Sequence, residues 1–317
     1  LGQRFATVSI ACTDESRRDY RELLFTAEGL NKYIAGVITH EETLGQVSRQ
    51  DGTPLIEALQ KNDILIGVKV DKGLVPLNNF AAAAPTGEFL TQGIDDLAER
   101  LIAYKAKGAS FAKWRAVYGI GAGRPSNMVI RANADSLALY AAICQSQGIV
   151  PIVEPEVLLD GDNSIEVSAD VTCTVLLEVF AALRAYGVML EFIILKPNMV
   201  LAGKKCPTQP NIERIAIETL MVLRRSVPAI VPSINFLSGG QTAFMSTLNL
   251  QAMNSLSMPL PWRLSYSYAR GLHSEAMDLW LGKEANISEA QQSLVKRAKL
   301  NSLASVGDYH HKMEGEI

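Results

Sequence analysis

Two strand-length segments carry charge where apolar residues would pack better. In Phe111–Val117 the charged residues are Lys113 and Arg115, and in Val150–Glu156 they are Glu154 and Glu156. Each pair is spaced by two, so both of its side chains point to one face of a sheet. Leu65–Val70 carries Lys69, with Asp71 two residues on, and Phe192–Leu195 runs straight into Lys196 and Pro197. Alone, a lysine in Ile-Ile-Leu-Lys-Pro reads as a structural cap paired with a glutamate. Several lysines and glutamates converging from neighbouring strands read instead as a site that shifts proton affinities. Burial and a nearby like charge both push a lysine toward its neutral amine, the form that attacks a carbonyl. Lys196 is therefore the candidate Schiff-base nucleophile, with Lys113 depressing its proton affinity. Glu154 and Glu156 are the candidate proton carriers.

A second chemistry lies further along. Phe236-Leu237-Ser238-Gly239-Gly240-Gln241 follows one apolar run, and Ser267-Tyr268-Ala269-Arg270 follows the next. Glycines let backbone N–H groups approach an anion, Ser238 and Ser267 can donate, and Arg270 supplies charge. A Gly-Gly pair alone is an ordinary turn; with Arg270 beside it, it reads as a phosphate site.

The elements that must position these residues alternate. The strand-like runs are Ala35–Ile38, Leu65–Val70, Phe111–Val117, Val150–Glu156, Phe192–Leu195, Ile230–Leu237 and Leu264–Tyr268. The helical patterns are Arg17–Glu28, Asp95–Lys107, Asn133–Gln147, Val171–Tyr186, Ile212–Arg225, Ser246–Ser255, Gly271–Trp280 and Glu289–Leu303. Apolar strands alternating with helices imply a parallel sheet covered on its faces. Seven strands preceded by a helix read as a (β/α)8 barrel, the TIM-barrel α/β class, with its first strand missing. Residues 1–317 form a single domain in this reading. An open doubly wound sheet is the runner-up, but no G-x-G-x-x-G follows any strand. Asn78–Thr91, with its Ala81–Ala84 run, reads as a surface loop.

Composition excludes several classes. Of 317 residues, 48% are hydrophobic and 20% charged, enough for a large core. Thirty basic against thirty-three acidic residues give −3, which argues against a nucleic-acid partner held by bulk positive charge. The apolar stretches are too short to cross a bilayer, and no leader pattern opens the chain. Cys12, Cys144, Cys173 and Cys206 lie far apart with no C-x-x-C pair, so a reducing, intracellular setting is expected. Four histidines without H-E-x-x-H spacing make a catalytic metal site unexpected.

Taken together, Gly67-Val68-Lys69-Val70-Asp71-Lys72-Gly73, Phe111-Ala112-Lys113-Trp114-Arg115, Pro151-Ile152-Val153-Glu154-Pro155-Glu156, Leu195-Lys196-Pro197-Asn198-Met199-Val200 and Phe236-Leu237-Ser238-Gly239-Gly240-Gln241 resemble class I fructose-bisphosphate aldolase. Order and approximate spacing match from about Arg4 to Tyr309. The resemblance implies a metal- and cofactor-independent lyase of glycolysis and gluconeogenesis. It would cleave fructose 1,6-bisphosphate into dihydroxyacetone phosphate and glyceraldehyde 3-phosphate. It implies an imine on Lys196, a proton shuttle at Glu154, and support from Lys113 and Glu156. Ser238, Gly239, Gly240, Ser267 and Arg270 would hold one phosphate, while Arg4, Lys69 and Arg115 would contact the other end of the substrate. A homotetramer is implied too, in the cytosol, with a plastid as the other compartment open.

Some positions depart from the family. Its first strand ends in an Ala-Asp-Glu-Ser-type motif whose Asp assists carbon–carbon cleavage. Asp14-Glu15-Ser16 is a false copy: it stands just before Arg17-Arg18-Asp19-Tyr20-Arg21-Glu22-Leu23-Leu24, which matches the family's first-helix segment. In this register Asp14 and Glu15 are helix-start acids, with Thr13 as N-cap. The strand and its Asp are thus expected to be absent. Gln3 replaces a lysine beside Arg4, Gly45 replaces a tyrosine after Glu-Thr-Leu, and the tail Glu314-Gly315-Glu316-Ile317 lacks a terminal tyrosine. These departures raise the alternative of a catalytically impaired aldolase-like protein that binds sugar phosphates or a protein partner.

Overall fold

Side-chain caps decide where most of the long helices start. The structure, a computed structural model, describes residues 1–81, 83 and 87–315. Its first element is α1 (Gly2–Thr7), a short helix without a side-chain cap. Thr13 then accepts from the Ser16 amide while Ser16 accepts from the Thr13 amide, so α2 (Asp14–Phe25) opens on a capping box. Asp14 and Glu15 lie in its first turn, as expected of helix-start acids. α3 (Leu55–Lys61) and α4 (Leu97–Ala106) lack such caps. Ser126, Ser164, Asn211 and Thr242 cap α5 (Asn127–Ser146), α6 (Ile165–Ala185), α7 (Ile212–Ser226) and α8 (Ala243–Ser255). α9 (Arg270–Trp280) and α10 (Ile287–Ala304) complete the set. Both α5 and α6 begin six residues before the apolar periodicity alone suggests, because the capping serines lie upstream of it.

Nine strands are present among the described residues. They are β1 (Gly36–Thr39), β2 (Leu65–Lys69), β3 (Leu74–Pro76), β4 (Phe89–Thr91), β5 (Ala109–Tyr118), β6 (Val150–Val157), β7 (Ile194–Leu195), β8 (Ser233–Phe236) and β9 (Arg263–Tyr266). Seven form one parallel sheet in the order β1-β2-β5-β6-β7-β8-β9. Sequential strands that neighbour one another through helical crossovers give the (β/α)8 plan with seven strands in place. β1 and β9 are the two edges.

β3 and β4 pair antiparallel outside this sheet. The expected Asn78–Thr91 surface loop is therefore corrected at its end: Phe89–Thr91 is a strand, and three-residue strands give too little alternation to be seen. Residues 82 and 84–86 of that loop, and 316–317 of the tail, lie outside the described residues. Phe192, expected in a strand, ends a 3-10 turn and is 57% exposed.

The helices cover the sheet through large buried side chains. Trp114 of β5 stacks on Tyr140 of α5 at 5.4 Å. Gly67 of β2 permits the closest approach: a Cβ there would lie 2.0 Å from the Phe111 ring. At the chain's start, fully buried Phe5 packs edge-on to Tyr20 (5.7 Å) and against Trp280 (6.1 Å), tying α1 to α2 and α9. No helix among the described residues is long and apolar enough to cross a membrane.

Candidate active site

Parallel pairing puts the carboxyl ends of all seven strands on one side of the sheet. Register then aligns the charged residues. Lys69 of β2 pairs with Lys113 of β5, and Arg115 pairs with Glu154 of β6. Val153 pairs with Leu195, and the Lys196 amide donates to the Val153 carbonyl at 2.8 Å, so Lys196 stands level with Glu154.

Lys113, Glu154 and Lys196 are all buried. Lys196 Nζ is 3.2 Å from Glu154 Oε1, and Lys113 Nζ is 2.9 Å from Glu154 Oε2. Burial lowers the proton affinity of Lys196; Glu154 opposes this and Lys113 adds to it, leaving the lysine below its ordinary value. Burial alone would raise the Glu154 carboxyl. Lys196 and Lys113 outweigh it and hold the group below the usual carboxylate range. The arrangement is a lysine poised to lose its proton beside a carboxylate able to take it.

Asp71 completes the cluster, and sequence reading gave it no role. Its carboxylate meets Lys69 Nζ at 2.5 Å and Lys113 Nζ at 3.5 Å. The signal was there in Lys69-x-Asp71, but only the β2–β5 pairing shows that Asp71 reaches Lys113 as well. Arg115 Nε meets Glu156 Oε2 at 2.5 Å. Glu156 is thus engaged with Arg115, apart from the Lys196–Glu154–Lys113 bridge. Asn198 clips the ends of β6 and β7: its Oδ1 accepts from the Val157 amide at 2.8 Å.

The loops after β8 and β9 adjoin, since the Ser267 amide donates to the Phe236 carbonyl at 2.8 Å. Gly239 (φ +56°) and Gly240 (φ +83°) are left-handed, a conformation side chains rarely adopt. A Cβ on Gly240 would lie 3.5 Å from Arg270 Nη2 and 2.7 Å from Lys204 Nζ, so two cations overlook this loop. Lys204 is a second residue that sequence reading missed. The Gly271 amide donates to Ser238 Oγ at 3.4 Å, which sets buried Ser238 at the N-terminus of α9.

Arg4 joins this side of the site. Burial and the charge of Arg270 both lower its proton affinity. Its Nη1 lies 3.5 Å from His273 Nε2, one turn along α9 from Arg270. Its neighbours are therefore Arg270 and His273, whereas Lys69 and Arg115 are engaged with Asp71 and Glu156. Among the described residues, no carboxylate lies within 4.0 Å of Arg4 or Arg270. Two guanidinium groups so placed are suited to a shared anion. Asp14 is elsewhere: its side chain is 84% exposed and pairs with Arg17.

Known proteins share this plan. A family profile described as glycolytic, fructose-bisphosphate aldolase class-I, matches residues 1–317. The chain is 45% identical over 316 residues to fructose-bisphosphate aldolase C of Rattus norvegicus, covering 99% of this chain and 85% of the relative. It is 47% identical over 310 residues to a probable fructose-bisphosphate aldolase class 1 of Xanthomonas campestris pv. campestris, covering 98% and 91%. A solved fructose-bisphosphate aldolase from Plasmodium falciparum, in complex with TRAP and a small molecule inhibitor, matches with a TM-score of 0.94 at 44% identity. That match covers 98% of this chain and 88% of the other. Identity of this level across nearly the whole chain extends well beyond a common scaffold, and so the chain belongs to the class-I fructose-bisphosphate aldolase family.

Proposed function

We propose that the chain is a Schiff-base aldolase that takes fructose 1,6-bisphosphate to dihydroxyacetone phosphate and glyceraldehyde 3-phosphate. The observation that carries this reading is the buried Lys196–Glu154–Lys113 bridge. Glu154 takes the proton that Lys196 must lose. The neutral amine adds to the substrate carbonyl, giving a carbinolamine. Dehydration then needs a proton on the departing hydroxyl, and Glu154 returns the one it took. Loss of the Lys196 charge removes the strongest of the cations that hold the carboxyl acidic, so Glu154 can keep the proton until the carbinolamine dehydrates.

Ser238, Gly239, Gly240, Ser267 and Arg270 hold one phosphate. Lys69 and Arg115 face the other end of the substrate, and Glu156 keeps Arg115 in place. Arg4 is a phosphate ligand that acts beside Arg270. The enzyme works in the cytoplasm as a homotetramer.

Borohydride tests the central claim. With dihydroxyacetone phosphate it should trap one covalent adduct on Lys196, absent in Lys196→Arg. A modified peptide at Lys69 or Lys113, with Lys196 untouched, would overturn the assignment. EDTA should leave activity intact.

A further inference from the structure

His273 lies between two unlike partners. Its Nδ1 is 2.8 Å from the Tyr20 hydroxyl oxygen, which is also 3.0 Å from the His273 carbonyl oxygen. Its Nε2 is 3.5 Å from Arg4 Nη1. A guanidinium only donates, so Nε2 must present a lone pair. The one proton of a neutral imidazole is then on Nδ1 and is donated to the Tyr20 oxygen. The Tyr20 proton goes to the His273 carbonyl. In this arrangement every proton has an acceptor. The other tautomer would aim an N–H at the guanidinium and force Tyr20 to choose between two acceptors. Burial and the nearby Arg4 charge keep the ring neutral, pushed down to about 4.

Arg4 needs to be held. Arg270 repels it, its helix has six residues, and no carboxylate among the described residues is within pairing distance. We propose that His273, locked by Tyr20 as the Nδ1–H tautomer, is a positioning residue whose Nε2 lone pair keeps Arg4 beside Arg270 to receive a phosphate monoester. This rests on the reading that Arg4 and Arg270 bind the substrate phosphate.

Nitrogen-15 NMR of the full chain, with the His273 signals assigned by His273→Gln, tests the tautomer without any ligand. At pH 7 the ring should carry its proton on Nδ1, and Tyr20→Phe should release that preference. A proton found on Nε2 would overturn the inference.

Binding tests the positioning. The measure is the fructose 1,6-bisphosphate concentration that half-saturates borohydride trapping on Lys196. His273→Leu should raise it about ten-fold, the size of a lost charge-assisted bond, with the maximal trapping rate little changed. His273→Gln, whose amide oxygen can accept from Arg4, should restore most of the loss. In an Arg4→Ala background His273→Leu should add nothing further. A glutamine no better than leucine, or additive losses, would mean that His273 serves packing alone. Undiminished binding in Arg4→Ala itself, with the tautomer as assigned, would show that the phosphate reading of Arg4 is what failed.

Discussion

Lys196 Nζ lies 3.2 Å from one oxygen of Glu154, and the other oxygen of that carboxylate is held by Lys113. This geometry makes Glu154 the hinge of the proposed chemistry. Glu154→Gln keeps the shape and removes the proton carrier. Imine formation should slow by roughly 10²- to 10⁴-fold. The variant also removes the one charge that raises the proton affinity of Lys196 most strongly. The pH profile of lysine modification should therefore move to lower pH. A profile moving to higher pH would contradict the electrostatic assignment.

Arg270→Ala should weaken binding of dihydroxyacetone phosphate far more than binding of dihydroxyacetone. A charge-assisted bond of about 1.5–3 kcal/mol corresponds to roughly one to two decades of affinity. Calorimetry or trapping titrations on both ligands measure this. Equal losses would make Arg270 structural.

His273 sets an acid limit on stability. It is pushed down to about 4 from an ordinary 6.5, first by burial and then by the charge of Arg4. Below pH 6.5 the unfolded chain binds protons that the folded chain refuses, so stability falls as pH drops toward 4 and levels out beneath it. Urea midpoints across pH 4–7 should show this slope, and His273→Gln should flatten it.

Asp14→Asn should leave cleavage unchanged, because Asp14 is exposed and paired with Arg17. Cleavage abolished by Asp14→Asn would refute the register that makes Asp14 a helix-start acid.

The barrel strands were legible because each is a short apolar run bounded by turn residues or by charge at its carboxyl end. Lys113, Glu154 and Lys196 stood out because charge at those positions defeats packing. The β3–β4 pair was hidden by its length and by Pro76. The second role of Asp71 depends on which strand lies beside β2. The setting of Arg4 depends on contacts with residues some 269 positions away. Local pattern carries no trace of such neighbours, so these required the folded chain.

Phe5 gives the phosphate side of the molecule an unusual dependence. Arg4 is carried by a helix of six residues, pinned by the Phe5 ring against Tyr20 and Trp280. An anion shared by Arg4 and Arg270, as proposed, would also steady that helix, since a ligand that binds only the docked form suppresses the frayed one. Occupancy of the site and protection of the N-terminal residues from a protease are then two views of one equilibrium. The rate at which trypsin cuts after Arg4 becomes a gauge of bound phosphate that needs no catalysis at all.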